Sequence, residues 1–339
     1  MATIIQLRDQ PFTDACPTPD RCEGCGAATW HGHGTVLRTV TDLQGDRAVS
    51  VRRYRCQACG LTVTMAPAGV DAKGRTQRLR AYLVLLYCLG LSHRGVEEAL
   101  APLGVQVDHV TVWRDLQALG ARMQARGPVG TVRVVMLDET WIPIGGGKRP
   151  VAVVTDAGDG TILQLAISDG DFDWQAWLKP LAGWGVEVVV TDDDSAYGAP
   201  LEAHGLDRQQ CMVHMRRTFT RRLRKLPEEV RERYAPRLKR LRVLLRELPA
   251  EGAGILMGWL EEAIDPEAPA PKEWRCLVQH FLERWNQMRI HGRAPDVPAT
   301  THRLEGRFGR LKPRVRRARG FPTRAGARNF LHAVTHVCA

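Results

Sequence analysis

The stretch Thr131 to Ile144, TVRVVMLDETWIPI, limits the possible folds more than any other part of the chain. It is a β-branched apolar run that reads as a strand, and Asp138 appears where the run turns polar. A second run, Val186 to Asp194 (VEVVVTDDD), has the same design. Two strands that each end in an acid look like half of a metal site. One such Asp alone is equally a helix cap or a turn residue, so the surrounding elements have to decide.

Three strands follow one another from Thr131: TVRVVMLDETWIPI, then VAVVTDAG after the turn GGGKRP, then TILQLAIS after a second turn. Asp173 is a predicted N-cap for the helix WQAWLKPLAGWG. The strand VEVVVTD, a short helix from Ser195 and a fifth strand, QQCMVH, come next. This β-β-β-α-β-α-β order is that of the ribonuclease-H-like fold, a mixed sheet whose first and fourth strands are neighbours. Asp138 and Asp192 would then sit side by side. Glu139 points to the opposite face of an extended strand. Asp192 ends the apolar run, Asp194 is placed to cap the next helix, and Asp193 is the reserve. Asp169, Asp171 and Asp173 precede a helix, where capping accounts for them. Two Mg²⁺ ions need more oxygen ligands than two Asp supply. Glu305 is the candidate third carboxylate, on a helix that Thr300 or Thr301 is expected to cap and Pro313 to end.

Charge supplies the substrate class. The net charge is +11. Residues 216–246 hold thirteen Lys or Arg against three Glu, and 303–328 hold ten against Glu305 alone. The rest of the chain is net acidic, so the basicity is concentrated, and only seven of the 48 basic residues are Lys. Arg presents a fork suited to phosphate, so nucleic-acid binding follows. The expected phosphate contacts are Arg216, Arg217, Arg221 and Arg222, then Arg307, Arg310, Lys312, Arg314, Arg316 and Arg317. Pro227, Pro236 and Pro249 break the helical stretch 216–290. Trp274 and Trp285 within it are expected in its core more than against a base.

Cys22 and Cys25 (CEGCG) and Cys56 and Cys59 (CQACG) form two knuckles, each with Gly after the second thiolate. Paired knuckles of this kind are a strong signal for tetrahedral structural zinc. The segments Thr35–Leu43 and Ala48–Tyr54 read as a hairpin that brings them together, with Cys16, His31 and His33 as competing ligands. Ala66 to Arg75 reads as a linker. A helix from Arg78 to Gly90 follows, then a helix capped by Ser92 and another capped by Asp108. The last two suit a helix-turn-helix with His109, Thr111, Arg114 and Gln117 toward DNA and Val110, Trp113 and Leu116 inward. The start MATIIQLRDQ shows no export signal, and no apolar run approaches the roughly 20 residues of a membrane span, so a cytoplasmic, nucleoid-associated protein is expected.

Asp138, Asp192, Cys211-Met-Val-His214, a long helical insertion, and Thr301-His-Arg-Leu-Glu305 before a basic tail together resemble the DDE transposases of the Mutator-like superfamily, including bacterial insertion-sequence enzymes. The resemblance covers roughly residues 131–339, with His302 where many relatives have Asn. It implies an Asp138, Asp192, Glu305 triad holding two Mg²⁺ or Mn²⁺ ions, which cleaves and joins double-stranded DNA at element ends and target as a homodimer or larger assembly. Cys211 and His214 would support the site or touch DNA; a buried Cys and a polar helix start are the plain alternative. The implied organisation is a zinc ribbon (1–70), a helix-turn-helix domain (71–128), a catalytic core (129–215), a helical insertion (216–290), and the last core helix with the basic tail (291–339). A catalytically silent DNA-binding transcriptional regulator is the alternative, and a nuclease without transfer ability a third reading.

Overall fold

The computed structural model describes residues 16–123, 127–168, 172–267 and 269–337, which form two compact units. One comprises 16–123 with 143–146 and 313–337, and the other 127–142 with 147–312. Among the described residues no helix is long and apolar enough to cross a membrane.

The first unit opens with a three-stranded antiparallel sheet of β1 (Trp30–Asp42), β2 (Gly45–Cys56) and β3 (Thr62–Met65). The hairpin turns at Gly45, whose φ of +96° is open to glycine and strained for other residues. Helices α1 (Gln77–Leu89), α2 (His93–Leu100) and α3 (His109–Arg122) follow, capped by the side chains of Thr76, Ser92 and Asp108. The Ala66–Arg75 stretch, expected as a linker, is instead tied down. Thr41 pairs with Arg75 and Val70 with Thr76, while Arg75 binds both Asp71 and the buried Asp115 of α3. An ion pair across the stretch outweighs its Pro and Gly content, so ribbon and helices form one body.

The second unit carries β4 (Val134–Ile144), β5 (Gly147–Asp156), β6 (Ile162–Ile167), α4 (Trp174–Gly183), β7 (Val188–Thr191), α5 (Gly198–Ala203) and β8 (Asp207–Gln210). Its strands form a mixed five-stranded sheet in the order β6-β5-β4-β7-β8, with β4 parallel to β7 and β7 parallel to β8. Val135, Leu137, Val154 and Val189 pack on Leu178 and Leu181 of α4 and on Tyr197 and Leu201. Asp173 caps α4, as expected, while Asp169 and Asp171 lie outside the described residues.

The fifth strand is shorter than QQCMVH predicts. It stops at Gln210, and Met212 already begins α6 (Met212–Lys225). The helices α7 (Glu228–Arg233), α8 (Ala235–Glu247), α9 (Gly252–Ala263), α10 (Lys272–Met288) and α11 (Ile290–Arg293) complete the insertion. Pro227 and Pro249 lie between helices and Pro236 sits in the first turn of α8, where proline loses no hydrogen bond. Trp274 and Trp285 are fully buried among Leu241, Leu277 and Phe281 in the insertion's own core.

Helix α12 (His302–Arg317) runs through Pro313 instead of ending there. Proline costs a helix the bond to the carbonyl four residues back, here that of Gly309, and a helix anchored on both sides tolerates the loss. Helix α13 (Arg324–Val337) packs on α3 within the first unit, so residues 313–337 do not fold with the core expected to contain 291–339.

Candidate functional site

Sheet register builds the site. Val134, Val135 and Met136 of β4 lie opposite Val188, Val189 and Val190 of β7. Continued to the strand ends, that register sets Asp192 beside Asp138. Burial raises the Asp138 carboxyl to about 6, the negative charges of Asp192 and Glu305 add to the rise, and the Glu139 N–H (2.8 Å) and His214 oppose it. Asp192 is also raised, mainly by burial. Among the described residues no Arg or Lys pairs with Asp138, Asp192 or Glu305. Three acids that feel one another without a cationic partner fit a divalent ion. Their hard oxygen donors suit Mg²⁺ or Mn²⁺.

Two motifs interlock beside these acids. Thr301 directs both its backbone N–H and its hydroxyl at the Cys211 sulfur, each at 3.5 Å. One turn further along α12, Glu305 lies 3.6 Å from His214 Nε2. Cys211 and His214 are three residues apart at the start of α6, as Thr301 and Glu305 are four apart on α12, so each pair spans about one helical turn. Burial acts to raise the Cys211 thiol, but hydrogen bonds from His214 and Thr301 outweigh it and bring it down to about 7. His214 is raised, first by its bond to Cys211 and also by the nearby acids, so it favours the imidazolium. Cys211 thus joins the two helices, and His214 stands at the acids.

The neighbouring acids have other partners. Asp193 is held by Arg284 Nε at 2.7 Å and His280 Nε2 at 3.2 Å, and its carboxyl is lowered: burial works against the shift and those contacts win. Asp194 caps the turn Ser195–Tyr197. Glu139 accepts from Ser168 (3.1 Å) and Tyr197 (3.2 Å).

Sequence reasoning passed over Arg208, in β8. It is buried, donates to Thr191 Oγ1 (2.8 Å) and to the carbonyls of Asp192 (2.7 Å) and Asp194 (2.6 Å), and lies over the Tyr197 ring. A buried guanidinium bridging three oxygens holds the loop that presents Asp192. Nothing short of the sheet order brings residue 208 to residue 192.

A cleft of about 1140 Å³ leads away from the acids along α6. Asp192 and His214 line one part, and Arg216, Arg217, Arg221, Arg224 and Lys225 line the rest. Arg222 is turned to His280 Nδ1 (2.9 Å) and does not line it. Arg307 is half-buried beside Gly160, while Arg310, Lys312 and Arg316 are exposed on α12. Arg314 and Arg317 donate to the carbonyls of Cys88 and Gly90 at the end of α1.

In the first unit the four expected cysteines converge. Cys22 and Cys59 sulfurs are 3.5 Å apart and Cys25 and Cys56 sulfurs 3.6 Å, close to the edge of about 3.8 Å in a tetrahedron with Zn–S near 2.3 Å. The cluster could hold a metal such as zinc. Cys16, His31 and His33 are not part of it. On α3, His109 is held by Asp108 (2.8 Å) and Glu97 (3.4 Å), Thr111 is half-buried and Arg114 is exposed. Gln117 accepts from Asn329 of α13 and donates to the Gly326 carbonyl, so it faces protein. The inward stripe is Val112, Asp115, Leu116 and Gly120, whereas Trp113, expected inward, is 47% exposed. The pull of Arg75 and Arg80 on Asp115 rotates the helix relative to a reading based on apolar residues.

No protein-family model and no curated protein matches this chain. Among solved structures, a chain of the simian T-cell lymphotropic virus intasome in complex with PP2A regulatory subunit B56 gamma is similar at 12% identity and a TM-score of 0.21. The match spans 54% of this chain and 63% of that one, and a likeness of this depth carries no weight for function.

Proposed function

We propose that the chain is a DNA transposase of the Mutator-like DDE type, with a ribonuclease-H-like core and a two-metal-ion strand cleavage and transfer activity. The observation that carries the reading is the meeting of Asp138, Asp192 and Glu305, without cationic partners, at the head of a cleft lined by Arg and Lys. The strand order, with the first strand of the sheet beside the fourth, supports the core assignment.

Asp138, Asp192 and Glu305 would hold two Mg²⁺ or Mn²⁺ ions. Bound there, such ions supply Lewis acidity that activates a hydroxyl nucleophile and steadies the leaving oxygen. The protein's residues do the rest. Arg216, Arg217, Arg221, Arg224 and Lys225 draw the phosphate backbone along α6, which makes binding steeply salt-dependent. His214, favouring its protonated form, places a hydrogen-bond donor among the acids, and Cys211 orients that ring. Arg208 holds the backbone of Asp192 in place. The first unit, with its four-cysteine ribbon and α3, would recognise element ends.

The test is cleavage and strand transfer on DNA carrying the inverted repeats that flank the gene, with Mg²⁺ or Mn²⁺. The wild type is expected to cut and join, and Asp138→Asn and Glu305→Gln to bind the ends without cutting. Equal activity in the variants rejects the triad. Tight, specific binding with no cutting by any protein points instead to the DNA-binding regulator.

A further inference from the structure

Trp113 is a large aromatic residue left 47% exposed on α3, and neither the fold nor the catalytic reading uses it. It lines a cavity of about 480 Å³ within the first unit. That size falls in the range of pockets for small ligands, roughly 300–1,000 Å³, and is far too small for a duplex or a folded partner. Arg314, Arg317 and Arg319 line it as well, and no carboxylate does among the described residues. Arg314 and Arg317 each spend a donor on a carbonyl at the end of α1, which fixes guanidinium groups that carry five N–H donors each. Arg319 is held at φ +55°, a left-handed conformation that costs a non-glycine residue about 1 kcal/mol and that functional sites tend to retain. His93, stacked on Tyr87 at 4.3 Å, lines the same cavity, and its buried Nε2 has no protein hydrogen-bond partner. Burial lowers the His93 pKa below the usual imidazole value, with the charge of His109 adding to the effect, so the ring is neutral at pH 7.

A flat aromatic face, a neutral hydrogen-bonding edge and three unopposed guanidinium groups together match a base joined to a phosphate. We propose that this cavity takes one unpaired nucleotide of a DNA strand, its base against Trp113 and its phosphate on the arginines. The inference rests on the DNA-binding half of the function proposed above and not on the catalytic half. It places a second point of contact on the DNA, outside the cleft of the catalytic unit, specific for a nucleotide that has left the helix.

The experiment measures binding of the full chain without divalent metal, by fluorescence anisotropy. The probes are a blunt duplex, the same duplex with a short single-stranded tail carrying 2-aminopurine, and free dAMP. Wild type is expected to prefer the tailed duplex about tenfold or more, within the range that one stacked base contributes. Trp113→Ala should erase that preference and leave blunt-duplex affinity within about twofold, and Trp113→Phe should restore most of it. Quenching of 2-aminopurine should appear in the wild type and be lost in Trp113→Ala. Three results overturn the proposal: no preference in the wild type, equal loss on blunt and tailed DNA in Trp113→Ala, or capture of dAMP without preference for the tail. If the tail preference stands while cutting fails, only the catalytic reading falls. A chain that binds no DNA sinks both.

Discussion

Replacing Asp138 by Asn is expected to stabilise the metal-free catalytic unit while removing a carboxylate that the proposed reaction needs. The side chain is 8% exposed, and its carboxyl lies at about 6 instead of 3.8 because burial and two neighbouring acids disfavour the charge. At about 1.4 kcal/mol per pH unit, that difference corresponds to a penalty of at most roughly 3 kcal/mol at neutral pH. Below pH 3.8 the group is protonated in both folded and unfolded chains, and the penalty vanishes. Between 3.8 and about 6 only the folded chain holds the proton, so stability is lost as pH rises through that window. Above about 6 the loss is complete. Asn keeps an oxygen to accept the Glu139 N–H and carries no charge, so its advantage should be near zero at pH 4 and greatest above pH 6. Urea unfolding of both proteins in EDTA from pH 4 to 8 measures this. An Asn variant that is less stable at pH 7.5, or whose advantage does not change with pH, refutes the account of three uncompensated acids. Stability gained where function is lost is what a site prepared for a cation should show.

Arg208→Lys replaces a fork that bridges three oxygens with a point charge, so Mn²⁺ affinity measured by electron paramagnetic resonance is expected to fall about ten- to a hundredfold with circular dichroism unchanged. Unchanged affinity would show that the loop holds Asp192 without it. Gly120→Ala should destabilise the first unit by roughly 1–3 kcal/mol, because the added methyl carbon would lie 1.9 Å from the Asn329 carbonyl oxygen of α13. Ala is otherwise the better helix former by about 1 kcal/mol, so a rise in Tm would mean that α13 does not pack there. The purified chain is expected to carry one zinc ion, and Cys56→Ser should lose it and open β1 and β2 to protease. A zinc-free protein whose ribbon resists protease equally well would assign the four cysteines to packing.

Local chemistry accounts for what was legible in the chain itself. The knuckles at Cys22–Cys25 and Cys56–Cys59, the caps Ser92, Asp108 and Asp173, and the helix breaks at Pro227 and Pro249 each follow from a few adjacent residues. The choice of Asp192 over Asp194 followed from capping, and α5 bears it out through the turn that Asp194 caps. The strand succession from Thr131 was readable because apolar runs and turns alternate there. Other features depend on contacts between distant residues, whose energies exceed local preference. Asp115 faces inward because Arg75 and Arg80 meet it there, which turns Trp113 out to a cavity. Residues 313–337 join the first unit because Gly120 admits the α13 backbone, and Pro313 fails to end α12 because the chain is held on both sides of it. Arg208 acquires its task only when β8 is laid beside β7. The sequence by itself thus determined which elements form and which acids, cysteines and basic residues they carry. Tertiary structure alone decided which of those groups meet, because burial and ion pairing depend on neighbours far along the chain.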